Sequence, residues 1–247
     1  MNMSTTAVLR SEWIKMRSLR SVAGSLIAVL IVTLAVTLLA FSTVGQSEAA
    51  QAGADPVFNA FYALNFGQIA AISFGATALS AEYLNGALRI SLAAVPRRSL
   101  LYAVKITVVG APALAVGLVS SFSTFFLGQT FMGKYAIDLG EPGALRAALG
   151  GAIYLMLMAL LAAGLTVVLR SAVAVLSLLI PFVLIVSFVV GDASSGVAQF
   201  LPDRAGQMVL HQNPEGSLGP WGGLAVAAVW AVAALLAGWW AVRRRDA

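Results

Sequence analysis

Long uninterrupted apolar segments dominate the hydrophobic pattern of the chain. A helix needs about 20 apolar residues to cross the hydrocarbon core of a bilayer, and uncharged windows of that order recur along the sequence. We predict six spans, at residues 21–44, 60–81, 106–130, 147–169, 172–191 and 220–242. Because the apolar residues form runs and do not alternate with polar ones, these spans are predicted to be helices and not barrel strands. The predicted fold class is therefore an all-α integral membrane protein with six transmembrane helices.

Local breaks refine three of these spans. Only Arg170 and Ser171 separate the fourth span from the fifth, which predicts either a tight hairpin or one overlong helix. Pro112 lies inside the third span and Pro181 inside the fifth. Because proline removes a backbone donor, both positions predict kinks, which membrane helices tolerate when neighbouring helices satisfy the freed carbonyl.

Basic residues are distributed unevenly between the connections. Of the 15 lysines and arginines, 12 fall on one side of the predicted spans: Arg10, Lys15, Arg17, Arg20, Arg89, Arg97, Arg98, Lys105, Arg170, Arg243, Arg244 and Arg245. The other side carries Lys134, Arg146 and Arg204. The positive-inside rule then places both termini, including the tail at residues 243–247, in the cytoplasm. Topology and anionic membrane lipid explain the net charge of +5, so no nucleic-acid binding is predicted.

Composition excludes a water-soluble protein and several kinds of functional site. Hydrophobic residues make up 60% of the chain and charged residues 10%, which is too few charges for a water-soluble surface. Without cysteine the chain has no disulfide and no thiolate metal site. Its one histidine, His211, has no clustered ligand residues, so no metal site is predicted. No carboxylate pair within a span and no Ser/His/Asp set on one side of the bilayer is found, so no catalytic residues are predicted and the protein is not expected to be an enzyme.

Residues 1–20 are predicted to form a cytoplasmic amphipathic interface helix. Apolar side chains recur there at helical spacing, with Trp13 placed at the membrane interface. Lys15 and Arg17 would then face lipid phosphates or a protein partner. A simple basic flank to the first span is the alternative interpretation.

The connection at residues 82–105 is the longest predicted cytoplasmic loop. It carries four cations around a small apolar core that includes Ile90, and Pro96 is predicted to end a short helix within it. Glu82 lies at the inner end of the second span, where a carboxylate is costly unless it is paired or hydrated. Two interpretations stay open, since the cations either contact lipid headgroups or form part of a docking surface for a cytoplasmic partner.

One face of the second span carries small side chains at helical spacing. Gly67, Ala71 and Gly75 belong to this stripe, which lets another helix approach closely. Packing within the chain, a subunit interface and the lining of a translocation path are the alternatives. Asn65 and Gln68, one turn apart, would line a polar cavity or bond a neighbouring helix.

Residues 192–219 form a long outer connection. Its middle contains apolar clusters that are too short to span a bilayer and are split by a proline. This pattern predicts short re-entrant or surface helices that cap the outer mouth. A merely solvated loop would have less reason to carry Phe200, Leu201 and Met208.

The segment GQTFMGKY, residues 128–135, matches part of a phosphate-binding loop at Gly128, Gly133 and Lys134. Tyr135 replaces the Ser or Thr whose hydroxyl holds magnesium in such loops. The segment also lies at the outer end of the third span and follows no predicted strand. It is therefore not predicted to bind nucleotide.

Three segments of the chain occur in an order that is typical of one family. They are SEWIKMRSLRS at residues 11–21, GATALSAEYLNGALRISLAAVPRRSLLYAVK at 75–105 and QFLPDRAGQMVL at 199–210. Together, and within six spans, they resemble the ABC-2 type transporter permease family. The middle segment is the most specific of the three. Residues 83–86 read YLNG, which departs from the charged or Thr-rich turn expected in the family.

The resemblance implies a half-transporter, the permease subunit of an ATP-driven exporter in the bacterial cell (plasma) membrane. Two copies, or one copy with a similar permease, would form the translocation path, with spans two and five meeting across the dimer. A separate cytoplasmic ATP-binding subunit would hold ATP and Mg, and this chain would bind no cofactor. The substrate is open among amphipathic small molecules, lipids and peptides. The alternative function is a non-transporting membrane anchor or sensor that recruits a cytoplasmic partner.

The resemblance also implies roles for individual residues. ATPase coupling is assigned to the N-terminal helix and the loop, at Trp13, Lys15, Arg17, Glu82, Asn85, Arg89, Pro96, Arg97 and Arg98. The translocation path or dimer interface is assigned to Asn65, Gly67, Gln68, Ala71, Gly75 and Pro181. In this mechanism, closure of the partner ATPases moves the loop at residues 82–100 and tilts the spans between inward and outward access.

Overall fold

The computed structural model describes residues 4–83, 87–95, 97–186, 195–214 and 217–244. Within these ranges all regular secondary structure is helical, which confirms the all-α fold class. The α-helices are α1 (Thr5–Ser18), α2 (Arg20–Thr43), α3 (Gly45–Ala49), α4 (Pro56–Phe61), α5 (Leu64–Ser80), α6 (Ala87–Ala94), α7 (Arg98–Met132), α8 (Ala144–Leu169), α9 (Ala172–Pro181), α10 (Ser195–Ala198), α11 (Pro202–Gln207) and α12 (Pro220–Arg244).

Four helices in the described part of the chain are long and apolar enough to cross a membrane. They are α2, α7 with its extension to Tyr135, α8 and α12, which correspond to the first, third, fourth and sixth predicted spans. The other two predicted spans are represented by shorter helices, since α5 has 17 residues and α9 continues as an apolar helix to Ile185. The count of six spans and the cytoplasmic placement of both termini stay predictions.

Two helix boundaries differ from the sequence prediction for physical reasons. The second span does not begin at residue 60, because Asp55 caps a separate helix, α4, and the chain turns at Tyr62 before α5. Helix α7 begins at Arg98 and not at residue 106, because carboxylates neutralise Lys105 and this charge does not interrupt the helix. The connection at residues 82–105 therefore contains the short helix α6 and the first two turns of α7.

Helix α8 lies at the centre of the bundle. It packs against α5, α7 and α12, and most of its side chains are buried. Small residues bring the backbones together, since Gly75 of α5 lies directly against the Ala159 carbonyl and Gly164 lies against Ala234 of α12. In lipid, where apolar helices gain little from the hydrophobic effect, such close packing holds helices together.

The break predicted between the fourth and fifth spans is present. Helix α8 ends at Leu169, and Arg170 adopts the left-handed conformation with a φ of 54°. The Ser171 hydroxyl accepts a hydrogen bond from the Ala174 N–H and caps α9. The two residues form a tight hairpin, so the alternative of one overlong helix is wrong. After Pro181 the chain continues as a π-helical turn, Phe182–Val186, in line with the backbone hydrogen bond that proline removes.

The outer connection contains α10, α11 and a 3-10 turn at Met208–Leu210, in agreement with the short helices predicted for residues 192–219. Helix α11 and the 3-10 turn pack against α8 and α12. Val209 is buried against Gly150, and Trp230 Nε1 donates a hydrogen bond to the Phe200 carbonyl at 2.9 Å. Their depth in the bilayer stays a prediction.

Asp55 ties the outer connection to the start of α4. Its carboxylate accepts hydrogen bonds from the N–H groups of Val57 at 3.0 Å, Phe58 at 2.9 Å and Gln212 at 2.9 Å. His211 Nδ1 lies 3.3 Å from the same carboxylate, and the His211 ring stacks on Phe58. Burial alone would raise the pKa of Asp55, but the hydrogen bonds from His211 and from the two backbone amides of Phe58 and Gln212 outweigh burial and lower this pKa.

Asp55→Ala is expected to lower the free energy of unfolding by about 1 to 2 kcal/mol, because α4 loses its N-cap. The folded state lowers the pKa of Asp55, so the carboxylate contributes stability above about pH 4 and loses it as the pH falls through the folded pKa. Denaturant unfolding in detergent micelles at pH 7 and pH 3 measures this effect. The difference between the parent and the variant should shrink at pH 3, and an equal difference at both values would contradict the role of the charge.

Candidate functional site

Four charged side chains and one hydroxyl meet at one end of the bundle. Glu82 accepts hydrogen bonds from Lys15 Nζ at 2.5 Å and Lys105 Nζ at 2.9 Å, and Lys105 Nζ also lies 2.5 Å from Glu12. The Ser91 hydroxyl donates to Glu82 at 3.4 Å and accepts from Lys15 Nζ at 3.3 Å. We call these five residues the charge cluster. Its two carboxylates and two ammonium groups balance each other.

The charge cluster joins four segments of the chain. Helix α1 contributes Glu12 and Lys15, and the 3-10 turn that follows α5 contributes Glu82. Helix α6 contributes Ser91, and α7 contributes Lys105. A displacement of α1 or α6 would therefore act directly on the ends of α5 and α7.

Burial strengthens the coupling between these charges. The side chains of Glu82 and Lys105 are 7% and 8% exposed, so water screens their charges poorly and each depends on the other. Burial alone would raise the pKa of Glu82, but the charge of Lys105 and the hydrogen bonds from Lys15 and Lys105 outweigh burial and lower this pKa. Glu82 is therefore ionised at neutral pH. Pairing offsets the cost of placing a carboxylate at the end of the second span.

An apolar contact holds α1 beside the charge cluster. Val8 of α1 is fully buried and packs with Val95 and with Leu101, Val104 and Val108. Three of these four partners belong to α7, and the fourth follows α6. Helix α1 is thus docked on the start of α7 by both apolar and charged contacts.

The residues predicted for coupling in the N-terminal helix separate into two groups. Lys15 lies in the charge cluster, whereas Trp13 and Arg17 are exposed. Trp13 and Arg17 are accessible to a lipid surface or a protein partner. Their role in coupling, and the position of α1 at the membrane interface, stay predictions.

The loop residues predicted for coupling are described only in part. Asn85 and Pro96 lie outside the described residues. Arg89 belongs to α6, and Arg97 is exposed just before α7. Arg98 Nη1 donates a hydrogen bond to a carbonyl near the end of α12 at 3.1 Å, so this residue bonds within the chain. Of the predicted coupling set, the structure brings Glu82 and Lys15 into direct contact.

Sequence reasoning did not select Glu12, Ser91 or Lys105 as site residues. Lys105 stands within the apolar sequence LYAVKITVV, and a single cation in such surroundings needs a partner. This signal could have selected Lys105. The identity of its partners, however, depends on how α1 packs on α7, which lies far away in the sequence.

A second buried polar group lies between α5, α8 and α11. The hydroxyl of Tyr154, which is fully buried, donates to Gln68 Oε1, and Gln207 Nε2 donates to Tyr154 at 3.3 Å. Gln68 Nε2 donates to the backbone carbonyl of Asn65 at 2.9 Å. Gln68 thus bonds a neighbouring helix, which is one of its two predicted roles. Asn65 Oδ1 is buried and accepts no hydrogen bond from any described residue. A buried acceptor without a donor lowers stability. A role for Asn65 in the translocation path stays a prediction.

The small-residue stripe of α5 packs within the chain. A Cβ on Gly67 would lie 2.6 Å from a hydroxyl of α2, and one on Gly75 would overlap the Ala159 carbonyl of α8. Ala71 is buried as well. Packing within the chain is therefore the alternative that is observed for this stripe. Pro181 is exposed at the end of α9, and a role for these residues in a path or a dimer interface stays a prediction.

The segment that partly matches a phosphate-binding loop ends a helix and does not begin one. Residues 128–132 belong to the last turns of α7, and Gly133–Tyr135 continue as a 3-10 turn. Phosphates bind where backbone amides are presented at a helix N-terminus, and this segment has the opposite polarity. Across the described ranges, no group of three or more His, Asp and Glu side chains is placed to hold a metal ion.

The segments that form the charge cluster also fall within a family match. No curated protein matches the chain. The model of the ABC-2 family transporter protein matches residues 8–189, which is well over half of the 247 residues. The matched region contains most of α1 and the whole of α2 to α9. The chain therefore belongs to the ABC-2 transporter family, as a membrane permease component and not as the ATPase.

Proposed function

We propose that this chain is the permease subunit of an ATP-driven exporter, and that a separate ATP-binding subunit docks on α6 and on the exposed side of α1. The charge cluster is the observation that carries this proposal. Ion pairs connect α1 to the end of α5 and to α7, and hydrogen bonds of the Ser91 hydroxyl connect α6 to Glu82 and Lys15. A movement imposed on α6 would reach Glu82 through Ser91 and would pass to α7 through Lys105. ATP and Mg would be held by the partner.

Helix α6 offers an apolar contact to such a partner. Ile90 is 71% exposed, while the adjacent Ser91 bonds to the charge cluster. The expectation that Ile90 belongs to a small apolar core of the loop is therefore wrong, although Val95 of the same loop is buried. An exposed isoleucine suits a partner surface with an apolar pocket.

Ile90→Asp is expected to weaken binding of the ATP-binding subunit about tenfold, because the variant places a charge in the proposed apolar contact. Folding should be unaffected, since the parent side chain is exposed. The binding partner is identified by mass spectrometry of proteins crosslinked at α6, and its affinity is then measured with the purified complex. Val197→Asp is the matched control, because Val197 is also 71% exposed and lies on α10. Equal binding by the two variants would remove α6 from the docking surface.

Vesicle transport tests the exporter assignment. With its ATP-binding subunit, the reconstituted chain should move an amphipathic small molecule, a lipid or a peptide only when ATP is supplied. A complex that binds the ATPase but moves none of these would support the anchor or sensor function instead. By the family resemblance, we further propose that two copies, or one copy and a similar permease, form the path in the bacterial plasma membrane.

A further inference from the structure

An apolar groove lies between α7 and α12 and opens to the outside of the bundle. It has a volume of about 400 Å³ and is lined by Tyr102, Ala103, Ile106, Leu235, Leu236 and Trp239. The Tyr102 hydroxyl donates to the Leu235 carbonyl at 2.7 Å, and Trp239 Nε1 donates to Ser99 Oγ at 3.3 Å. Because the chain itself satisfies these polar atoms, the surface that the groove offers to an occupant is apolar.

The end of the groove beside Trp239 lies close to the basic end of α12. Arg243 is placed over the Trp239 ring at 4.7 Å, and Arg244 over the Trp240 ring at 4.6 Å. Arg98 Nη1 donates a hydrogen bond to the carbonyl of Val242, the residue before Arg243, so another guanidinium lies near this end of α12. Tryptophan rings beside arginines are typical of the level at which lipid headgroups meet the hydrocarbon core.

We propose that this groove binds an anionic phospholipid of the surrounding bilayer. One acyl chain would lie against Ile106 and Leu236, and the phosphate would lie beside Arg98 and Arg243. Guanidinium groups bind phosphate oxygens through charge-assisted hydrogen bonds, and basic pockets between membrane helices select anionic headgroups. A zwitterionic lipid would fill the same groove but would gain less from the arginines.

A second copy of the chain suits the groove less well than a lipid does. A symmetric contact places the same patch of both copies face to face, which would bring the two sets of arginines together. Like charges so placed repel each other. Lipid binding in the groove would require neither the ATP-binding partner nor the exported substrate.

Quenching of Trp239 fluorescence by brominated lipids tests this proposal. Four of the five tryptophans, Trp13, Trp221, Trp230 and Trp240, are replaced with phenylalanine, so that Trp239 alone emits. The chain is reconstituted in phosphatidylcholine bilayers with equal mole fractions of acyl-brominated phosphatidylglycerol or acyl-brominated phosphatidylcholine. Brominated phosphatidylglycerol should compete for the groove at least about fivefold more effectively, the ratio that either one of the two arginines near a headgroup would provide. Replacing both Arg98 and Arg243 with Gln should abolish this preference.

Two further variants separate the outcomes. A chain that keeps Trp221 as its single tryptophan reports from the other end of α12 and should show no lipid preference. Ala103→Leu partly fills the groove, so it should lower quenching of Trp239 by both lipids. Equal quenching of Trp239 by the two lipids would overturn the proposal, as would a preference that survives loss of the arginines. Quenching that appears only when the protein is diluted in lipid would show that a second copy covers the groove.

Discussion

Glu82→Gln is expected to lower the free energy of unfolding by about 3 kcal/mol, because it removes one carboxylate from a buried ion pair and leaves positive charge uncompensated. A loss of about 3 kcal/mol is at the lower end of the range for removing one partner of a buried ion pair, because Lys105 keeps its contact with Glu12. Denaturant unfolding in detergent micelles, followed by the loss of helical circular dichroism, gives the difference. The pKa of Glu82 is lowered in the folded state, so its contribution is lost only as the pH falls through that pKa.

The matched control for this change is Glu48→Gln. Glu48 is exposed on α3, so its replacement should change the unfolding free energy by less than about 0.5 kcal/mol. A double-mutant cycle of Glu82→Gln with Lys105→Gln should give a coupling energy of at least about 1 kcal/mol, because the two side chains are in direct contact. Additive effects in this cycle would show that the two charges do not stabilise each other.

Gly75→Ala is expected to lower the free energy of unfolding by about 1 to 3 kcal/mol or more, because the added methyl group would overlap the Ala159 carbonyl. The carbonyl belongs to the backbone of α8 and cannot move without displacing the central helix. A loss of stability would identify the close contact as its cause, because replacing glycine with alanine inside a helix is otherwise stabilising. In an unobstructed helix, alanine is more stable than glycine by about 1 kcal/mol.

Gly24→Ala is the matched control, because it is expected to change the free energy of unfolding in the opposite direction. Gly24 is also inside a helix, α2, but a Cβ at this position meets no atom within 4 Å. Its replacement should raise the free energy of unfolding slightly, while Gly75→Ala lowers it. If both alanine variants shifted stability in the same direction, the close contact between α5 and α8 would not be the cause.

Much of the helical architecture could be predicted from local sequence. Windows of apolar residues locate α2, α7, α8 and α12, since length and hydropathy are properties of single segments. The hairpin at Arg170 and Ser171 also follows from local sequence, because two polar residues interrupt an otherwise apolar run. The helix boundary that differs from the prediction near residue 60 has a local cause as well. Asp55 and Pro56 form a helix-start signal, which hydropathy windows do not detect.

The candidate site could be predicted only in part, because its contacts are distant in sequence. The cost of a carboxylate at the end of a span points to Glu82 from the sequence alone. Its pairing with Lys105 and Lys15 depends on how α1, α5 and α7 pack together. The same limit applies to Gly75. A stripe of small residues predicts close approach to another helix, and only the fold shows that this helix is α8 of the same chain.

Pro112 divides helix α7 into two arms of unequal length. Pro112 cannot donate a backbone hydrogen bond, and it lies 7 residues from Lys105 and 20 residues from Met132. At 1.5 Å per residue, the corresponding arms are about 10 Å and 30 Å long. A rigid rotation of α7 about Pro112 would therefore move its far end about three times as far as it moves Lys105.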